Sequence, residues 1–140
     1  MTITYDAQLL KAMALFENLT HAKLKDCYQD DVLNTMTFVV LPGESGKAIG
    51  KKGIVVKKLE YLFKKRIRVV EYTPEKFDFI RNLVQPLQIR EITEDEQGIV
   101  TLADPDTKTK GLLIGRNGQN LRNLEKNVRR FFEVKEIRVV

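Results

Sequence analysis

Apolar residues change period several times along the chain, and each change marks an element. Leu9, Met13 and Phe16 recur at i, i+4 and i+7, which draws a stripe down one helical face. Thr4 can cap this helix, expected to run to about Asn18. Lys23 to Tyr28 and Asn34 to Val40 read as paired strands, the second alternating with Met36, Phe38 and Val40 on one face. The polar tip Gln29-Asp30-Asp31 joins them, and Pro42-Gly43 turns the chain. Glu44 to Ile49 then reads as a short helix stopped by Gly50, and Ile54 to about Lys65 as a longer one burying Val56, Leu59 and Phe63. A strand from Ile67 to Glu71 closes the series: helix, strand, strand, helix, glycine loop, helix, strand.

The remaining residues repeat that order. Thr73-Pro74 supplies a capping residue and a proline at the first helical position, so a helix should run from Glu75 to about Leu83. Leu87 to Thr93 and Ile99 to Ala103 form the hairpin, with an acidic tip from Glu94 to Gly98. Asp106 or Thr107 starts a short helix ending at Ile114, followed by a helix from Gln119 to Phe132 and a strand from Lys135 to Val140. The residues agree as well as the pattern. Gly50-Lys51-Lys52-Gly53 recurs as Gly115-Arg116-Asn117-Gly118, each after an isoleucine, at an offset of 65 residues. The same offset pairs Val56, Leu59, Glu60 and Phe63 with Leu121, Leu124, Glu125 and Val128. Both copies end on Ile-Arg-Val-Val, at 67–70 and 137–140, the second after five extra residues. This is an internal duplication with its boundary near Thr73, giving domains over 1–72 and 73–140 in an α+β class. With no linker between them, the two are expected to pack as one rigid unit.

Composition narrows the partner. The 140 residues suffice for one ordinary domain or two small ones. Apolar runs such as Phe38 to Leu41 are too short to span a bilayer, and Met-Thr-Ile-Thr-Tyr-Asp-Ala is unlike a secretory signal, so no membrane partner is expected. A single cysteine, Cys27, excludes an internal disulfide framework and suits a reducing cytoplasm. The net charge of +5 and pI near 9.3 suggest an anionic partner. Its distribution says more: residues 46–68 carry nine Lys or Arg against Glu60 alone, and residues 108–138 carry nine more against three acids. Both glycine loops therefore lie in strongly basic stretches.

Gly46-Lys47 falls within a segment that invites comparison with a nucleotide P-loop, G-x-x-x-x-G-K-[ST]. Leu41 stands where the first glycine is needed and Ala48 where the magnesium-binding hydroxyl is needed, so that pattern fails. The Ile-Gly-x-x-Gly pattern between two helices succeeds twice. Its glycines let a sugar-phosphate chain approach the backbone, and the first-turn N–H groups of the following helix, at 53–55 and 118–120, favour phosphate. Other chemistry is not supported: one histidine, His21, expected on the surface at the end of the first helix, and one cysteine make no metal set or catalytic triad. Asp104 and Asp106 precede a helix and read as capping residues rather than paired catalytic acids. No enzyme activity, metal or cofactor is expected.

The Ile49–Gly53 and Ile114–Gly118 loops, set in an αββααβ order, resemble tandem type II K-homology (KH) domains, in which the glycine loop follows the hairpin. More narrowly, G-K-A-I-G-K-K-G and K-G-L-L-I-G-R-N-G-Q-N, with Asp104-Pro105-Asp106 before the second, are similar to the archaeal NusA-like family. The likeness covers Tyr5 to Val140. It implies single-stranded RNA as partner, a cytoplasmic role in transcription termination or antitermination, and a place near RNA polymerase; a monomer is expected. The chain leaves no residues for the polymerase-binding N-terminal domain or the OB-type domain of bacterial NusA, so polymerase contact is implied by the family alone. A KH-fold protein of ribosome or RNA processing, or an adaptor, stays open beside it, although the basic loops speak against an adaptor.

The expected surface follows from the loops. RNA backbone should lie across Gly50, Lys51, Lys52 and Gly53 and across Gly115, Arg116, Asn117 and Gly118, steered by Lys47, with Lys57 and Arg122 reaching phosphates from the long helices. Ile49 and Ile114, with Ile54, either wall the bases or seal helix against sheet. Asn117 and Gln119 either bond sugar and base edges or act as helix-start residues. Lys52 stands where many relatives have glycine, which is tolerable unless φ must be positive. Phe63, Phe131 and Phe132, at helical spacing, are expected in the core; Tyr28, Tyr61 and Tyr72 are placed on the surface.

Overall fold

The computed structural model describes residues 6–50 and 53–140, in two compact units, Met1–Thr73 and Pro74–Val140. In the first unit α1 spans Ala7–Thr20. Its cap is Asp6, whose carboxylate accepts the Leu9 N–H at 2.8 Å; the expected Thr4 cap lies outside the described residues. A capping oxygen one residue before the helix satisfies a donor that the first turn leaves unpaired. The helix ends at His21, exposed and left-handed at φ 59, whose N–H closes on the Glu17 carbonyl at 2.8 Å.

β1 (Leu24–Asp30) and β2 (Thr35–Val40) are antiparallel, and β3 (Arg66–Glu71) lies parallel to β2 on its other side. Between the hairpin and β3 come α2 (Ser45–Ile49) and α3 (Ile54–Phe63). A parallel pair needs a crossover, and these two helices form it. Leu9, Ala12 and Phe16 of α1, Cys27, Met36, Phe38 and Val40 of the hairpin, Ala48, Leu59 and Ile67 make one buried core. At its centre the rings of Phe16 and Phe38 stack at 4.3 Å, tilted by only 8°. The alternation in β2 correctly assigns Met36, Phe38 and Val40 to this core, but Thr35, Thr37 and Val39 are buried as well, as befits the middle strand of three. Phe63 packs half-buried against the core. Tyr28, expected at the surface, is buried instead; Tyr61 is exposed, and Tyr72 is half-buried with the Lys25 ammonium 4.8 Å from its ring centre.

The second unit has the same order: α4 (Lys76–Val84), β4 (Glu91–Glu94), β5 (Ile99–Ala103), α5 (Thr107–Ile114), α6 (Gln119–Arg129) and β6 (Glu136–Val139). Its sheet repeats the topology, β4 antiparallel and β6 parallel to a central β5. Boundaries depart from the sequence expectation in three places. α4 starts after Glu75, so Thr73 is not its cap. β4 starts at Glu91 rather than Leu87, because the preceding segment is tied back to α4: the Leu87 N–H bonds the Val84 carbonyl at 2.9 Å and the Arg81 guanidinium holds the Ile89 carbonyl. α6 stops at Arg129, three residues short of Phe132, where the Phe131 and Phe132 amides both turn onto the Val128 carbonyl. Phe131 and Phe132 thus leave the helix and pack on Phe79, at 5.3 and 5.7 Å between ring centres.

The repeated glutamates now have a role. Glu60 accepts the Ile67 N–H at 3.4 Å and Glu125 accepts the Ile137 N–H at 2.8 Å. Each ties the long helix after a glycine loop to the first isoleucine of the closing Ile-Arg-Val-Val strand. The helix that starts at the loop is therefore anchored at its far end to the sheet. Among the described residues no helix is long and apolar enough to cross a membrane.

Candidate nucleic-acid interface

Each unit turns from its short helix to its long one on a pair of glycines. Gly50 and Gly115 end α2 and α5 at φ 72, ψ −177 and φ 73, ψ 177, a region that only glycine enters readily. Their N–H groups close the short helices onto the carbonyls of Gly46, at 3.3 Å, and Gly111, at 2.8 Å. Gly53 and Gly118 then start α3 and α6 as left-handed N-caps, at φ 70 and φ 73, with no side chain to cover the helix end. The two turns match within a few degrees wherever both are described. Lys51 and Lys52 lie outside the described residues. At the position matching Lys52, Asn117 is left-handed at φ 56, a conformation asparagine tolerates better than most residues.

The second loop closes on itself. Arg116 to Gly118 form a single 3-10 turn, in which the Gly118 N–H bonds the Gly115 carbonyl at 3.2 Å and the Gln119 N–H bonds that of Arg116. This corrects the expectation that amides 118–120 are all open to an anion, since two of the three are turned onto the loop itself. The Arg122 guanidinium, expected to reach outward, donates to the Asn117 carbonyl while its residue remains exposed. Asn120 donates to the Leu112 carbonyl at 2.9 Å.

Around the loops the expected side chains divide into two groups. Arg116, Asn117, Gln119 and Lys57 are exposed beside the glycines. Lys47 is exposed too but paired with Glu44 at 3.1 Å, and its ammonium holds the Glu44 carboxyl below the usual carboxylate range. Its charge is partly spent within α2. Ile49 and Ile114 are 44% and 36% exposed, so neither seals helix to sheet. That task falls one residue earlier, to Ala48 and Leu113, both buried. With Ile54 at 61% and Leu112 at 48%, the exposed isoleucines leave apolar surface next to each glycine turn. Asp106 caps α5, accepting the Thr109 N–H at 3.2 Å and its hydroxyl at 2.7 Å, which lowers its pKa, and Asp104 accepts the Asp106 N–H at 2.9 Å. Both aspartates thus shape the approach to the second loop. Among the described residues, no group of three or more His, Cys, Asp or Glu is placed to hold a metal ion.

Sequence reasoning weighed Gly46 only as a P-loop glycine and quoted it with Gly111 in the family segments, without placing either at the RNA surface. They stand 65 residues apart, inside the short helices, exposed, and at ordinary φ, and a Cβ on either would meet nothing within 4 Å. Glycine inside a helix costs roughly 1 kcal/mol relative to alanine. Neither backbone conformation nor internal packing requires it here. The shared offset was the signal that could have found them.

The KH-domain model matches residues 12–102, so the chain belongs to the KH-domain family. That match includes the first glycine turn and ends before the second. Within the family the chain groups with archaeal NusA-like proteins. It is 31% identical to the "Probable transcription termination protein NusA" of Halococcus morrhuae over 98% of both chains. The protein of the same name from Methanocaldococcus jannaschii is 29% identical, over 91% of this chain and 70% of its own. Among solved structures, the crystal structure of APE1850 superposes with a TM-score of 0.79 at 27% identity, over 97% of this chain and 100% of that one.

The first glycine of the second turn and the second glycine of the first turn should not be equally replaceable. A Cβ on Gly115 would lie 2.5 to 2.9 Å from the Asn120 side chain, whereas one on Gly53 meets nothing within 4 Å. Gly115→Ala is expected to destabilise by about 2–4 kcal/mol, through Gly-only backbone and the displaced Asn120 bond. Gly53→Ala should cost only about 1–2 kcal/mol, the left-handed penalty alone. Urea denaturation of the two variants checks the order.

Proposed function

We propose that this chain binds single-stranded RNA and acts in transcription termination or antitermination, through two type II KH domains that each present one glycine turn to the RNA backbone. The observation that carries the reading is the repetition of the turn itself. Two glycine pairs, in matching conformation and matching αββααβ context, bring positions without side chains next to basic and apolar side chains. A polyanion with planar bases suits such a surface, since the bare turn admits the sugar-phosphate chain and exposed isoleucines beside it accept base faces. The names of the archaeal relatives support the assignment to termination. A link to RNA polymerase, action as a monomer and a cytoplasmic setting belong to the same reading.

Lys51, Lys52 and Arg116 supply the charge in the turns, and Lys57 adds to it from α3. Asn117 and Gln119 offer hydrogen bonds at the start of α6. Gly50, Gly53, Gly115 and Gly118 set the path of the backbone, and Ile49 and Ile114 form apolar walls. Lys47 contributes less than its position suggests, because Glu44 engages it. No step of covalent chemistry is needed for this function.

Fluorescence anisotropy with a short single-stranded RNA pool tests the reading. Neutralising six to eight phosphates gives a fall of log affinity against log salt with a slope of about 4 to 6. Replacing Lys51 and Lys52 by Asp, or Arg116 and Asn117 by Asp, should weaken binding by at least tenfold in a folded protein. Folded variants that bind as tightly as wild type would remove the turns from the interface. Co-purification with polymerase rather than with ribosomes separates transcription from a role in ribosome or RNA processing.

Gly46 and Gly111 give a second check. If RNA backbone passes close to the short helices, Gly111→Ala should raise stability by roughly 1 kcal/mol while lowering RNA affinity several-fold. Stability and binding measured on the same variant would then move in opposite directions. An alanine variant that is more stable and binds normally would place the RNA elsewhere.

A further inference from the structure

The two glycine turns match at their flanking glycines but carry different side chains over them, and the difference lies in two positions of the long helix. In the second unit the Arg122 guanidinium donates to the Asn117 carbonyl and lies against Gly118, its Nη2, Nε and Cζ 3.2, 3.6 and 3.8 Å from where a Cβ on that glycine would stand. Asn120 spans the other side of the turn, bonding the Leu112 carbonyl at 2.9 Å and filling the space above Gly115. The two side chains clasp the turn from α6. They reach both the helix that enters it and the left-handed residue at its tip.

In the first unit the same two positions hold Val55 and Lys57. Val55 also packs over its glycine, with Cγ2 3.0 Å from a Cβ on Gly50, but a valine side chain has no hydrogen bond to give. Lysine carries a compact ammonium on a flexible stem, and lacks the planar fork that lets arginine lie flat on a glycine while donating to a neighbouring carbonyl. The duplication has therefore kept the conformation of the flanking glycines and changed the side chains that face them from the long helix.

We propose that Arg122 and Asn120 are positioning residues that pre-set the second turn for RNA, so that this loop binds as a rigid clamp, through side-chain chemistry that Val55 and Lys57 do not carry at the matching positions of the first unit. The inference rests on the reading of these turns as RNA sites. Ordering a loop on binding subtracts from affinity, and a loop already held in its bound shape avoids the loss. Arg122 then acts through the Asn117 peptide rather than as one more phosphate contact. Asn117 keeps its left-handed shape because the carbonyl beyond it is pinned.

The test uses the full chain with Lys51 and Lys52 replaced by Asp, so that binding reports the second turn. Into it are placed Arg122→Lys, which keeps the charge, Arg122→Gln, which removes it, and Asn120→Val, which copies the first unit. Affinity for short single-stranded RNA is measured across salt, and amide hydrogen exchange at residues 117–119 is measured without RNA. The expected result is that Arg122→Lys and Arg122→Gln both weaken binding about tenfold, the scale of one charge-assisted hydrogen bond. For Arg122→Lys the salt slope should stay that of the parent, and exchange at 117–119 should accelerate in both. Asn120→Val should behave alike to a lesser degree, and it carries the test if the arginine variants do not fold.

Wild-type affinity in Arg122→Lys, with Arg122→Gln losing affinity and about 0.7 of the salt slope, would make Arg122 a phosphate contact and overturn the inference. Unchanged amide exchange in the arginine variants, or in Asn120→Val where those do not fold, would overturn it as well. If wild type itself failed to bind RNA at low salt, the function reading would fall and this inference with it. Binding by wild type alongside an unaffected Arg122→Lys removes this inference alone.

Discussion

Everything at the candidate site depends on a helix that must end and another that must begin within four residues, with both still attached to one core. The glycine pair meets that constraint. Gly50 and Gly115 stop the short helices in a backbone region closed to other residues, and Gly53 and Gly118 restart the chain as left-handed caps. On either side a buried anchor fixes a helix to its own unit: Ala48 before the turn and Leu59 after it in the first, Leu113 and Leu124 in the second. The glutamates Glu60 and Glu125 add a polar tie from each long helix to the closing strand. Because the anchors lie outside the turn, the glycines themselves need no side chain. Side-chain-free positions in a basic setting are what result, and it is this property that a nucleic-acid chain can use.

The same constraint explains how the two units differ without losing their likeness. Backbone dihedrals at the glycines agree closely, since few alternatives exist there, whereas residues on the long helix are free to vary. The second unit uses that freedom for Arg122 and Asn120, which bond carbonyls of the turn and of α5. The first places Val55 and Lys57 at those positions. Charge differs as well, with Lys47, paired to Glu44, in α2 of the first unit where the second has Leu112. Equivalent folds therefore need not mean equivalent grips.

Much of this was legible in the sequence because it rests on periodicity and on glycine. The order of elements, the alternation of Met36, Phe38 and Val40, the extents of α2 and β5 and the Asp106 cap all follow from local rules that operate within a few residues. What escaped depends on which particular bonds form, even between residues only three to eight apart in the chain. β4 is shortened because Arg81 and Val84 hold the segment before it, and α6 ends early where the Phe131 and Phe132 amides both turn onto the Val128 carbonyl. Tyr28, grouped with the surface tyrosines, is buried. At the site, glycines and exposed cations were readable, but their bonds were not: Glu44 takes up Lys47, and Asn117 takes up Arg122. Ile49 and Ile114 could not be assigned to core or surface until Ala48 and Leu113 were seen to fill the core in their place.

The most direct measurement of the central claim is an NMR titration of isotopically labelled protein with short single-stranded RNA, followed at every backbone amide. The account predicts that the largest shifts fall at Gly50, Gly53 to Val55 and Gly115 to Asn120, with the neighbouring residues of α2 and α5 next, and little change at the tips around Asp31 and Glu96. Shifts concentrated away from both turns, or none at RNA concentrations well above micromolar, would contradict it.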